Sequence, residues 1–175
     1  GKAWAKKVFP GEPKGRAIEK LWEAILSASR VEGDAMAAWE AHNENLRKRC
    51  EYLNSLGIEK LHYTADNGTD LTVGLMEQGI FCAGADTTRK GVVYNPNIPS
   101  EEAFCSPMRG QAEGIVYSTK PLSYNGQLIE NFSVRFENGK VVEVKAEKGE
   151  DVLKHMVAMD EGAAYLGECA LVPQA

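Results

Sequence analysis

At Gly57 the hydrophobic period of the chain changes, and that change decides the class of fold. Before it, apolar residues recur every three or four positions, as on a helix face. After it they alternate, as on a strand. Residues 13–31 read as an amphipathic helix: Pro13 suits its first turn, and Ile18, Leu21, Trp22, Ile25 and Leu26 share a face. Asp34 is placed to cap a second helix with Met36, Trp39, Leu46, Cys50 and Leu53 as its buried stripe and Gly57 as its stop. The cluster Arg47, Lys48 and Arg49 lacks an aromatic platform and reads as a solvated face.

Beyond Gly57, strands are expected over residues 59–65 and 69–76, joined by a turn at Asp66, Asn67 and Gly68. Leu71, Val73 and Leu75 alternate toward one side. Further strands are expected over residues 79–85 and 113–119, then a hairpin over residues 131–147. A two-residue Asn138–Gly139 turn would set Val134 against Glu143. A three-residue loop, 137–139, sets Val134 against Val142 and Phe132 against Val144, keeping one face apolar. The expectation is therefore a type I turn with Gly139 left-handed. A helix over residues 150–159 should bury Val152, Leu153, Met156 and Val157. Asp160 then caps a short turn ended by Gly167, and ECALVP makes a closing strand that stops at Gln174 and Ala175. Two helices followed by antiparallel strands indicate an α+β fold, here one domain over residues 1–175.

Composition narrows the functions. A net charge of −5 offers no electrostatic footprint for nucleic acid or an anionic membrane. No apolar run approaches the roughly 18–20 residues of a membrane span, and the first ten residues have no signal-peptide core. Cys50, Cys82, Cys105 and Cys169 form no C-x-x-C pair and read as reduced thiols of a cytoplasmic protein. His42, His62 and His155 follow no metal-ligand spacing, and no nucleotide-binding glycine loop or G-x-S-x-G occurs.

The stretch NPNIPSEEAFCSP, residues 95–107, carries Pro96, Pro99 and Pro107 around two adjacent carboxylates. The prolines exclude a central strand or a long helix and leave a loop with at most one helical turn. Ser100 as N-cap, with Glu101 and Glu102 in the following turn, would account for the acidic pair without any ligand. Glu168 is harder to explain that way. It follows a glycine stop and opens an apolar strand, where a lone carboxylate faces burial unless a metal or base compensates it.

WAKKVFP, AIEKLWEAI, GTDLTVGL, NIPSEEAFCSP, the long run from STKPLSYNG to EKGEDVL, and DEGAAYLGECALVP together resemble the aminopeptidase T and aminopeptidase S family, di-metal aminopeptidases of thermophilic type. The resemblance covers essentially the whole chain. It implies a metalloaminopeptidase in which Glu102 and Glu168 are metal ligands, with Glu101 an exposed neighbour of Glu102. It further implies two divalent metals, zinc or cobalt, bound as hard-oxygen carboxylate complexes, and peptides as substrates. No catalytic side chain of the family maps onto residues 1–175: its remaining His and Asp ligands and its Tyr follow ALVP. Met108 also departs from the His that many relatives carry there.

The chain is accordingly expected to be an internal part of the catalytic region, lacking segments at both ends and inactive alone. Glu102 and Glu168 are expected to lie close together. A homo-oligomer is expected through an exposed edge near Leu166, Leu171 and Val172. Two alternatives use the same residues. A glycosidase would need the carboxyl groups about 5–5.5 Å apart for retention or about 6.5–9.5 Å for inversion, beside an aromatic cleft, and a non-catalytic binding or assembly module would suit the missing ligands.

Overall fold

The computed structural model describes residues 1–173, and these form two compact units. One comprises Gly1–Glu51, Cys82–Ala103 and residues 172–173; the other comprises Tyr52–Phe81 and Phe104–Leu171. Gln174 and Ala175, where the closing strand is expected to stop, lie outside the described residues. Helices α1 (Lys2–Val8), α2 (Lys14–Ala28) and α3 (Ala35–Ser55) come first. Strands β1 (Lys60–Thr64), β2 (Asp70–Leu75), β3 (Asp86–Thr87), β4 (Val93–Tyr94) and β5 (Ala103–Cys105) follow. Then come β6 (Pro107–Tyr117), β7 (Leu122–Tyr124), β8 (Gln127–Glu137), β9 (Lys140–Lys148), α4 (Glu150–Val157) and β10 (Cys169–Leu171). The fold is α+β, as the change of period at Gly57 requires.

In the helical unit α1, which the sequence pattern does not announce, buries Ala5 against Ala17 and Leu21 of α2. Phe9, Ile18 and Ile25 complete that cluster. The buried stripe of α2 is narrower than expected, because Trp22 and Leu26 remain 58% and 42% exposed. Past its end, Arg30 adopts a left-handed φ of 55°. The Arg30 N–H then reaches the Ser27 carbonyl at 3.0 Å and the Val31 N–H reaches that of Leu26 at 3.1 Å, the pairing of a Schellman closure. Asp34 caps α3 as expected, its Oδ1 accepting from the Ala37 N–H at 3.0 Å. Trp39, Leu46 and Cys50 are buried, but Met36, expected on the buried stripe, is 83% exposed. Arg47 and Lys48 pair with Glu44, and Arg47 also with Glu51, on the solvated face.

Residues 79–85 form no strand, against expectation. The Asn54 side chain takes both backbone groups of Phe81: its Oδ1 accepts the Phe81 N–H at 2.7 Å and its Nδ2 donates to the Phe81 carbonyl at 3.1 Å. Gly84 is left-handed at φ 69°, which breaks any extended run.

The second unit is built on an antiparallel sheet in the order β1-β2-β6-β8-β7, with β9 also on β8. Leu71, Val73 and Leu75 are buried, as their alternation demands. Strand β6 starts at Pro107, well before residue 113; proline is tolerated at the first residue of a strand. Where β2 crosses β6, Gly114 lies opposite Leu71, and a Cβ there would meet the Asp70 carbonyl oxygen at 2.1 Å.

The β8–β9 hairpin departs from the expected register in an instructive way. Asn138 and Gly139 are both left-handed, at φ 51° and 77°, so the turn has two residues and the primed form. Phe136 pairs with Val141, after which the register shifts so that Arg135 pairs with Glu143 and Val134 with Val144. Val142 is the extra residue of a β-bulge and stays 45% exposed. The bulge performs what the longer loop was expected to do: Val134 faces a valine, not Glu143. The turn docks on β6, with the Gly139 N–H on the Ala112 carbonyl at 2.9 Å and the Asn138 N–H on the Glu113 carboxylate.

Helix α4 covers the hairpin. Ile129, Val144 and Leu153 form the buried cluster, ringed by Phe132, Val134, Val152, Met156 and Val157. Ile129 is fully buried, a contribution of about 1.5–3 kcal/mol for such a side chain. At the end of β9 the Glu150 carboxylate accepts the Ala146 N–H at 3.0 Å, and near its start the Val141 N–H donates to the Ala164 carbonyl at 2.8 Å. Asp160 caps the following turn through the Gly162 and Ala163 N–H groups, both at 2.8 Å.

Candidate metal centre

Loop 95–102 belongs to the helical unit, and it cannot hold itself in place. Pro96 and Pro99 lack donors, and among the described residues no backbone-to-backbone hydrogen bond anchors it. Side chains do so instead. Asn43 of α3 and Asn95 exchange reciprocal amide hydrogen bonds at 3.0 and 2.8 Å. His42 Nε2 donates to the Ser100 carbonyl at 2.6 Å. Arg30 Nη2 donates to Oε1 and Oε2 of Glu101 at 2.6 and 2.7 Å.

The two adjacent carboxylates therefore differ. Glu101 is not the exposed neighbour expected of it; it is ion-paired to Arg30, with His42 Nε2 3.9 Å from its other oxygen. No helical turn forms at Ser100, because its carbonyl is taken by His42 and the chain passes directly into β5. Glu102 is half-buried and, among the described residues, has neither a hydrogen-bond nor an ion-pair partner. Its oxygens keep their acceptor capacity, which is what a hard-cation ligand requires.

Glu168 belongs to the sheet unit, one residue before β10. It is exposed, so the burial expected of a carboxylate opening this strand is not found. The apolar character lies in its neighbours: Cys169 and, on the paired strand β5, Cys105 are buried. Burial, then the Cys105 thiol and the Glu168 charge, push the Cys169 thiol up to about 11. Burial, followed by Cys169 and Cys105, pushes the Tyr63 phenol up to about 12.

Among the described residues, no group of three or more His, Cys, Asp and Glu side chains is gathered as a metal site. His42 is committed to the Ser100 carbonyl, and His62 to Asp70 at 2.8 Å, so both are satisfied histidines. Sequence reasoning missed Arg30 and His42 as anchors of the acidic loop. The available signal was indirect: a proline-rich loop that cannot bond to itself must borrow donors from elsewhere.

The whole of residues 1–175 matches the model of the thermophilic metalloprotease (M29) family. Aminopeptidase T of Thermus aquaticus is 51% identical over 171 residues, a match covering 97% of this chain and 42% of that protein. Aminopeptidase AmpS of Bacillus subtilis (strain 168) is 47% identical over the same length, with the same coverage. The solved structure of wild-type AmpT from Thermus thermophilus superposes with a TM-score of 0.88 at 47% identity, covering 99% of this chain and 42% of that one. The chain thus spans about two-fifths of the length of these relatives.

Proposed function

Since the chain belongs to the thermophilic metalloprotease (M29) family, we propose that the protein carrying it is a metal-dependent aminopeptidase that releases N-terminal residues from peptides. Residues 1–175 contribute part of its catalytic region and two of its metal ligands, Glu102 and Glu168. The observation that carries this reading is the contrast within the acidic pair: Glu101 is neutralised by Arg30, while the carboxylate of Glu102, a half-buried residue, has no partner among the described residues. Arg30 Nε is the one buried side-chain polar atom left unpartnered among the described residues, so the Glu102 oxygens stay open to accept a cation.

Metal bound there would polarise the scissile carbonyl and supply hydroxide near neutral pH. The chain's own part is to present oxygen donors from two different segments, a braced loop and the entrance to a short strand. Two metals, zinc or cobalt, a homo-oligomeric assembly and a cytoplasmic location belong to the same proposal. Among the described residues no helix is long and apolar enough to cross a membrane.

The test is metal content and leucine release from a leucyl chromogenic substrate, measured on the intact gene product. Glu102→Ala and Glu168→Ala should each lose bound metal and nearly all turnover. Full metal content and unchanged turnover in either variant would remove that residue from the site.

A further inference from the structure

We propose that Arg30, acting with His42 and Asn43, is a positioning residue for Glu102: it clamps loop 95–102 through the neighbouring Glu101, so that Glu102 is held in one orientation toward the metal. The inference rests on the metal-ligand reading of Glu102 given above.

Three observations carry it. The loop has no backbone-to-backbone anchor among the described residues, so its conformation depends on the contacts of Asn43, His42 and Arg30. Of these, Arg30 grips the residue immediately before Glu102. Second, Arg30 occupies a position where a side chain is a burden. Its φ of 55° is the left-handed conformation that glycine adopts freely, and Gly57 takes that role at the end of α3 with φ 59°. An arginine kept at such a position points to a use for its guanidinium. Third, the ion pair is not arranged for best stability. Arg30 Nε is buried without a hydrogen-bond partner, while a single terminal nitrogen, Nη2, serves both Glu101 oxygens. A desolvated, unpaired N–H is a cost accepted in order to place the other end.

The brace is continuous. Trp39 Nε1 donates to the Ser29 carbonyl at 2.8 Å, fixing the end of α2 from which Arg30 projects. The Trp39 ring meets that of His42 edge to face, with centroids 5.5 Å apart. One surface of α3 thereby sets both Arg30 and the Ser100 carbonyl, and so the two residues leading into Glu102.

The experiment uses the intact gene product stripped of metal, with Zn²⁺ as the probe in competition with a chelator. Arg30→Gly removes the guanidinium and also relieves the left-handed backbone. It should weaken Zn²⁺ binding about tenfold or more and lower kcat with little change in KM, without lowering the Tm of the metal-free protein. Arg30→Lys should fall between, and the exchange Arg30→Glu with Glu101→Arg should recover part of the loss. If Arg30→Gly does not fold, the lysine variant and the exchange decide the question by the same readouts. Zn²⁺ affinity within about twofold of the parent, or a loss that follows a fall in metal-free Tm and is not recovered by lysine or the exchange, overturns the proposal. Glu102→Ala separates the two levels. If it leaves Zn²⁺ binding intact, the metal-ligand reading fails and this inference with it. If it abolishes binding while Arg30→Gly does not weaken it, only the positioning role fails.

Discussion

The β8–β9 hairpin and loop 95–102 are fixed by opposite means. The hairpin has a backbone ladder along most of its length and an apolar cluster around Ile129 beneath α4. Its stabilisation is spread over many small terms, each tied to local pattern. The loop has no ladder and is held at three points by polar side chains from α3 and the end of α2. Such a segment can be placed accurately and still add little to global stability. The contrast separates residues that keep the protein folded from residues that keep a carboxylate aimed.

The largest effect should come from the hairpin side. Ile129→Ala leaves a cavity in the fully buried cluster and should lower stability by about 2–5 kcal/mol in denaturant melts. A loss below about 1 kcal/mol would mean the cluster collapses to fill the space, and the contrast would weaken. Next is Gly139→Ala. The new Cβ would stand 2.4 Å from the Gly110 Cα, at a residue with φ 77°, and a loss of more than about 1 kcal/mol is expected. Retained stability would show that the turn is not seated on β6.

On the loop side, Asn43→Ala breaks the reciprocal amide pair with Asn95. Global stability should fall by only about 0.5–1.5 kcal/mol, while hydrogen exchange at residues 95–102 quickens. A drop matching that of Ile129→Ala would break the comparison outright. The smallest effect sharpens the sheet side. Tyr63, raised to about 12 chiefly by burial and then by Cys169 and Cys105, is favoured as the neutral phenol in the folded state. Its contribution is fully present below the ordinary value of 10.0 and is lost as pH climbs toward about 12. Tyr63→Phe should therefore leave Tm unchanged at neutral pH and flatten its decline above about pH 10. An equally steep decline in the variant would assign the alkaline loss to other groups.

Sequence pattern located the hairpin, though not its turn length or register, because its determinants are neighbours. The left-handed Gly139, the buried face of Val134 and Val144, and the caps at Asp34 and Asp160 all follow from residues within one turn of each other. It placed the odd residue in the turn, where the structure puts it in the strand, since a bulge at Val142 and a longer loop satisfy the same alternation. It also took Trp22, Leu26 and Met36 as buried, because helical periodicity reports a face and not whether anything covers it. Residues 79–85 have strand composition, but the Asn54 amide claims the backbone of Phe81 from 27 positions away. At the acidic loop, prolines excluded regular structure, and family resemblance singled out Glu102 and Glu168. The anchors Arg30 and His42 lie 71 and 58 residues from their partners, beyond any local signal.

Strand β9 lies at an edge of the sheet, paired along its length only with β8 among the described residues. An unguarded edge of that length invites pairing with strands of other molecules and aggregation. Three features described above act as guards. The Glu150 carboxylate occupies the Ala146 N–H, the Ala164 carbonyl occupies that of Val141, and the bulge at Val142 bends the stretch between them. Lys140, Lys145 and Lys148 along the strand add charge that disfavours a flush second strand. The residue that corrects the hairpin's register thus also makes its edge a poor template for intermolecular β-pairing.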